Sequence, residues 1–257
     1  MHPFFSSPRP LVFAHRGGSA LAPENTMAAF AHGLAAGADG IELDVRLSRD
    51  GVVVVHHDET VDRTTPGHGV VASMTALELA RLDVPALADV LGGFGETRVI
   101  VEMKTNTREL ASAVVDVVRR ADAIGRVCLG SFGQRVLNAA RALEPAIATS
   151  AGREEVRWAL YRSWVRRPSY GARYVGFQVP ERAGATQIVS RRFVDVAHRA
   201  GLGVHVWTVN DVADARRLLS WGVDAIISDR PDFMARLVRE VPGVPEVPKV
   251  PKVPKVP

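Results

Sequence analysis

Residues 40–47 read GIELDVRL, and the alternation within these eight residues decides the fold. Ile41, Leu43 and Val45 take one parity; Glu42, Asp44 and Arg46 take the other. Side chains of one parity share a face of a strand, so Glu42 and Asp44 point the same way. The run VVVV at 52–55 sets this strand beside a core. Two neighbouring carboxylates there repel and lose hydration, a cost that only something positive between them offsets.

Working outward, RDG at 49–51 before VVVV reads as a hairpin return. Other β-branched runs lie at 11–15, 98–104, 126–132, 146–151, 174–179, 203–209 and 224–229. Helix-like segments follow nearly every one, several closing on Gly. Asn25, Thr107, Ser190 and Asp211 suit helix starts. Eight strand signals alternating with helices predict a parallel (β/α)8 TIM barrel over residues 1–240. An excursion at about 58–97, with helical pieces, forms a short insertion after strand two and covers one rim of the barrel mouth. Residues 241–257, VPGVPEVPKVPKVPKVP, place Pro at nearly every third position, a composition of solvated polyproline II or disorder; they are expected to stand outside the fold as a Val-Pro-Lys-rich tail.

The chain has 257 residues, 47% of them hydrophobic, and one cysteine. No internal disulfide is therefore possible, which fits a reducing compartment. The N-terminus lacks the basic start and apolar run of a signal peptide, and nothing approaches the roughly 18 apolar residues of a membrane span. A soluble, cytoplasmic protein is expected. The formal charge is +4, and the tail carries half of it. The 28 arginines are dispersed among acids, unlike the clustered footprint of a nucleic-acid binder. Lys104 is the only lysine before the tail, which suggests a particular task.

Active sites of parallel barrels gather at the C-terminal ends of the strands. Those ends carry His15-Arg16-Gly17, Glu42 with Asp44, His56-His57-Asp58, Glu102 with Lys104, Gln178, and Trp207-Thr208-Val209-Asn210. Glu42, Asp44 and Glu102 form an all-oxygen set that suits one divalent cation, Mg²⁺, Ca²⁺ or Mn²⁺, better than zinc. Such a cation would neutralise the repelling pair. His15 and His57 can serve as proton donor and acceptor, since a free imidazole titrates near neutral pH. A cation with Lys104 and Arg16 meets the charge that grows on phosphoryl oxygens. A rim holding three carboxylates, two histidines and a lysine for purely structural reasons is the weaker explanation.

With these residues in place, the sequence resembles the glycerophosphodiester phosphodiesterase family. The resemblance rests on AHRGGSALAPENTMAAF (14–30), GADGIELDVRLSRDGVVVVHHDETVDRTT (37–65), VIVEMK (99–104), FQVP (177–180), VHVWTVN (204–210) and GVDAIISDRPD (222–232). It implies hydrolysis of glycerophosphodiesters to glycerol 3-phosphate and an alcohol. By matched position it makes Glu42, Asp44 and Glu102 the metal ligands, His57 the base and His15 the acid. Arg16 and Lys104 would contact phosphate, Gln178 would line the substrate site and Trp207 would pack on the glycerol. Asn25 and Asp58 would support the site. The glycerol 2-hydroxyl would attack phosphorus and a cyclic phosphate would follow. Of His56 and His57 only one can face inward on an extended chain, and motif position selects His57.

Two other functions fit the same residues. One is a lysophospholipase D or sphingomyelinase-D-like enzyme acting on lipid phosphodiesters. EEVRWALYRSWVRR (154–167) bears on it, since Val156, Leu160 and Tyr161 could form the stripe of an interfacial helix, although the inward face of an ordinary barrel helix is the favoured reading. The other is a barrel that binds phosphodiesters without turnover. The head group is left open.

Overall fold

The alternation at 40–47 sorts the residues of strand β2 (Gly40–Leu47) between two environments. Ile41, Leu43 and Val45 are fully buried against the helix layer, in a cluster with Leu110, Val114 and Leu137. Glu42 and Asp44 take the opposite parity and point into the barrel. The same division runs through β1 (Leu11–His15), β4 (Arg98–Met103), β5 (Val127–Gly130), β6 (Ala148–Thr149), β7 (Gly176–Pro180), β10 (Gly203–Trp207) and β11 (Ala225–Ser228). In this computed structural model, which describes residues 1–240, these eight strands pair in parallel in the order β6-β5-β4-β2-β1-β11-β10-β7. A bridge between Ser150 and Gly176 joins the ends of the order and brings the barrel near closure.

The hairpin return is β3 (Val53–Val55), antiparallel to β2 with Val45 opposite Val55. The helices are α1 (Met27–Ala35), α2 (Ala76–Ala80), α3 (Leu87–Gly93), α4 (Arg108–Arg120), α5 (Gln134–Leu143), α6 (Arg153–Trp164), α7 (Arg191–Arg199), α8 (Val212–Ser220) and α9 (Pro231–Glu240). A two-stranded ribbon, β8 (Arg182–Ala183) with β9 (Thr186–Gln187), follows β7. Thr107, Ser190 and Asp211 cap α4, α7 and α8 as expected. Asn25 does not cap α1: Thr26 does, because Asn25 sits in a left-handed conformation, φ 58°, with its amide turned to Asp44. Within 58–97, α3 places Leu87, Val90 and Leu91 in the main helix-layer core. Val61, Val71, Leu79 and Val84 form a small satellite core with Val54. The tail reading concerns 241–257 and lies outside the described residues.

The N-terminal end of the barrel is stoppered by residues before the first strand. A turn in which Phe5 N–H donates to the His2 carbonyl, 2.9 Å, inserts Phe4 and Phe5 beneath Phe13, Ile100, Cys128 and Ile227. The strands admit Phe5 because Gly176 and Gly203 face it; a Cβ at either would stand 2.4–2.5 Å from its atoms. The neutral ring of His205 packs into this group at a tilt, 4.2 Å from Phe5 and 5.3 Å from Phe13 between ring centroids.

Candidate active site

At the open end of the barrel the inward parity continues into His15, Asp44, Glu102 and Trp207, all on a cleft of about 750 Å³. Parallel pairing sets Asp44 opposite Glu102 and His15 opposite Glu42. Glu42, Asp44 and Glu102 thus bring carboxylate oxygens within 4.8 Å of one another. Burial and the charge of Asp44 push Glu42 well above the usual carboxylate range. Burial acts on Asp44 in the same sense, but Lys104 and Arg16 outweigh it and hold that carboxyl low. Lys104 Nζ lies 2.9 Å from Asp44 and 3.0 Å from Glu102. Burial disfavours its charge, and the two carboxylates more than restore it. Arg16 Nε is 3.2 Å from Asp44, and Arg16 also pairs with Glu24 at 3.0 Å. An all-oxygen donor set this close, still carrying a carboxyl raised by burial and by its neighbour's charge, fits a hard divalent cation.

Two histidines border the same cleft, each with a carboxylate behind it. His15 Nδ1 donates to Asp229 at 2.6 Å and His57 Nδ1 donates to Asp58 at 2.6 Å. A carboxylate can only accept there, so the proton sits on Nδ1 and leaves Nε2 for the cleft. Burial alone would lower His15, but the hydrogen bond to Asp229 and the charges of Glu42 and Asp229 raise it overall. Asp229 is fixed by donors from Ser19 and Asn210 as well. Asp58 is held low, first by Arg63 and then by His57. His56 turns the other way, buried, with Nε2 3.0 Å from the Thr60 carbonyl. Arg46 grips the His57 carbonyl through Nε and a terminal nitrogen at 3.0 and 2.9 Å. Asn25 donates to Asp44 at 3.0 Å.

All the residues singled out from the sequence therefore meet at one end of the barrel: His15, Arg16, Glu42, Asp44, His57, Glu102, Lys104, Gln178 and Trp207 on the cleft wall, with Asn25 and Asp58 behind Asp44 and His57. Sequence reasoning missed Asp229, although SDRPD stands at a strand end, where its parity points inward. It missed Glu24, which ties Arg16 to Arg63. It also misplaced the stripe on α6. Val156, Leu160 and Tyr161 do not serve only as the inward face of a barrel helix, because all three border the cleft. Among the described residues no helix is long and apolar enough to cross a membrane.

Comparison with known proteins bears on the family and the fold. The model of the glycerophosphoryl diester phosphodiesterase family matches residues 15–233. A glycerophosphodiester phosphodiesterase of Caldanaerobacter subterraneus is 31% identical over 252 residues, covering 90% of this chain and 98% of the relative. A probable glycerophosphodiester phosphodiesterase 2 of Mycobacterium tuberculosis is 32% identical over 247 residues, covering 87% and 89%. Among solved structures, an Oleispira antarctica phosphodiesterase in complex with the product sn-glycerol-3-phosphate superposes with a TM-score of 0.74 at 26% identity, covering 90% of this chain and 98% of that one.

Proposed function

The chain belongs to the glycerophosphoryl diester phosphodiesterase family and is a phosphoric diester hydrolase, and from that premise we propose how its own residues cleave a glycerophosphodiester into glycerol 3-phosphate and an alcohol. The observation that carries the proposal is the pair of histidine–carboxylate dyads on one cleft with the three-carboxylate cluster. Glu42, Asp44 and Glu102 would hold one divalent cation, Mg²⁺, Ca²⁺ or Mn²⁺, which would supply positive charge to a phosphoryl oxygen. Lys104 and Arg16 add charge on the same side, and Trp207 offers its ring to the glycerol carbons.

His57 Nε2, unprotonated while Nδ1 donates to Asp58, accepts the proton of the glycerol 2-hydroxyl. That oxygen bonds to phosphorus and the bond from phosphorus to the alcohol oxygen breaks. His15, raised by Asp229 and Glu42, gives its Nε2 proton to the departing alcohol. Water then opens the cyclic phosphate with the two histidines in exchanged roles, as reversibility requires. The carboxylates behind each ring fix its orientation.

The test is turnover of a glycerophosphodiester panel with glycerol 3-phosphate as the detected product. Chelation should abolish it, and a divalent cation should restore it. His57→Ala should lose roughly 10²- to 10⁴-fold in rate. His56→Ala should change rate little, because that ring is spent on the Thr60 carbonyl. Full activity of either a chelated enzyme or a folded His57→Ala variant would refute the assignment.

A further inference from the structure

The two histidine–carboxylate dyads are braced differently. Behind His15, Asp229 is fixed by donors from Ser19 and Asn210. Behind His57, Asp58 gives one carboxylate oxygen to the ring and the other to Arg63, whose Nε donates at 2.6 Å. Among the described residues no other side chain donates to Asp58. A second carboxylate takes the rest of the Arg63 fork: its two terminal nitrogens donate to both oxygens of Glu24, at 3.0 and 2.7 Å. Glu24 in turn accepts from Arg16 at 3.0 Å, and Arg16 Nε stands 3.2 Å from Asp44. One guanidinium therefore joins the carboxylate behind His57 to the arginine assigned to phosphate.

The segment after β3 sets Arg63 in this position. Val61 is fully buried in the satellite core. Its N–H donates to the Gly69 carbonyl at 3.0 Å, and its carbonyl accepts from the backbone N–H and the hydroxyl of Thr65 at 3.1 and 2.9 Å. Arg63 stands midway in the turn so closed, and burial of Val61 holds that turn in place. Glu24 comes from the loop before α1, where the Asn25 N–H donates to the Arg16 carbonyl at 2.9 Å. Burial acts to raise the Glu24 carboxyl, yet hydrogen bonds and charge from Arg63 and Arg16 hold it below its ordinary value. Stability is a weak reason for this arrangement. The Arg63 side chain is 49% exposed, and an ion pair that open to water contributes little to folding. Geometry is the stronger reason. A guanidinium presents five N–H donors in one rigid plane, so it can fix two carboxylates relative to each other where an ammonium cannot.

The structure assigns Arg63 as a positioning residue of the reaction: through Asp58 it sets the ring of His57, and through Glu24 it keeps Arg16 from being drawn away from phosphate. This rests on the roles given above to His57 and Arg16, and it adds one residue off the cleft wall that serves both. The segment after β3 thereby acts on the reaction without touching the substrate. Its two effects are separable. Without Arg63, Asp58 keeps only His57 and its carboxylate is free to turn, so proton transfer suffers and kcat falls. Without Arg63, Glu24 also has Arg16 as its one remaining cationic partner, so Arg16 turns toward Glu24, phosphate is held less well and KM rises. Removing the Glu24 charge as well frees Arg16 and repairs the second loss alone.

The experiment measures kcat and KM for glycerophosphocholine, with Mg²⁺ present, in Arg63→Gln, in Arg63→Gln/Glu24→Gln and in a control, Arg49→Gln. Arg49 pairs with Glu78 at 3.7 Å, an exposed contact to the same segment that touches neither dyad, so the control should match the wild type. Arg63→Gln should lose up to roughly 10²-fold in kcat, the scale of a displaced catalytic group, raise KM several-fold and keep its unfolding midpoint. The double variant should recover KM and not kcat. In an Asp58→Asn background Arg63→Gln should change kcat little, because the route to His57 is already cut. Wild-type constants in Arg63→Gln overturn the assignment, and so does a kcat loss undiminished in the Asp58→Asn background. Equal losses in Arg49→Gln, or a large drop in the Arg63→Gln midpoint, would make Arg63 a prop of the fold and also overturn it. If the wild type cleaves no glycerophosphodiester, the reaction reading fails, and glycerol 3-phosphate binding by calorimetry decides the Arg63 assignment alone. Weaker binding in Arg63→Gln that is restored in the double variant upholds it, and any other pattern refutes it.

Discussion

His205 is the residue whose environment departs furthest from its chemistry. It is wholly buried, neither ring nitrogen has a partner, and Phe4, Phe5 and Phe13 surround it. Burial, with a smaller contribution from Arg98, depresses its pKa to about 3. The unfolded chain binds a proton there below about 6.5. Between these limits unfolding takes up a proton, so stability falls as pH falls, by up to ~1.4 kcal/mol per unit from this group. His205→Leu, of similar size and with no polar atoms, should be at least as stable at pH 7. Its margin over the wild type should widen toward pH 4 in denaturant melts. Parallel pH profiles would contradict this account. Lys104 presents a different question of fit. Its ammonium is held between Asp44 and Glu102 at 2.9 and 3.0 Å, a spacing that a compact point charge fills and a wide planar guanidinium does not. Lys104→Arg should lose roughly 10²-fold, mainly in kcat; a wild-type rate in a folded variant would mean that charge alone suffices. The sequence exposed this lysine by composition and the carboxylates by parity. Asp229 escaped because its partners, His15, Ser19 and Asn210, come from distant parts of the chain.

At the scale of elements, strand parity carried most of the information. In β2 the apolar residues face the helices while Glu42 and Asp44 face the barrel, so strand positions and the burial of that pair were legible before any coordinates, even though other strands also send apolar residues such as Phe13, Ile100 and Ile227 inward. What escaped is set by packing across the fold. The alternation in REEVRWALYRSW identifies a helix, yet it cannot say that the face bearing Val156, Leu160 and Tyr161 lines a cleft. That depends on how α6 leans from a two-residue strand. The segment before β1 carries no periodic signal either, although it stoppers the barrel. Phe5 is 1% exposed and occupies space that only Gly176 and Gly203 leave open. Phe5→Ala should therefore cost about 3–5 kcal/mol, the usual range for a lost core phenylalanine. Gly176→Ala should destabilise by overpacking against the same ring. Unfolding midpoints of the two single variants and their double would separate these causes. If the clash is real, Gly176→Ala should cost less in the Phe5→Ala background. Equal costs in both backgrounds would show that ring and glycine act independently.

For the whole molecule, the pairing around the barrel is uneven, and local stability should follow it. β2 and β4 share six paired positions, β7 and β10 five, and β1 and β11 four. β5 and β6 share two, and β6 meets β7 through the single Ser150–Gly176 bridge. The backbone bonds at that seam are few: Ala151 N–H to the Gly176 carbonyl and Val175 N–H to the Thr149 carbonyl, both 2.9 Å. The helix over the seam is α6, which buries only Ala159, Leu160 and Ser163 among its twelve residues. Backbone amides open with free energies that track the apolar contacts and cooperative pairing around them, so the seam should be the first part of the barrel wall to part. Hydrogen exchange should show peptides spanning 146–151 and 172–176 losing protection well before 98–103 and 41–45. The order matters for function, because Glu42, Asp44 and Glu102 lie on the most extensively paired strands, with Lys104 directly after one of them, while the α6 wall stands on the least. Rigid strands would hold the carboxylates and the lysine in register, and a yielding seam would let the apolar wall adjust. Uniform protection around the barrel would remove the mechanical distinction between the two sides of the cleft.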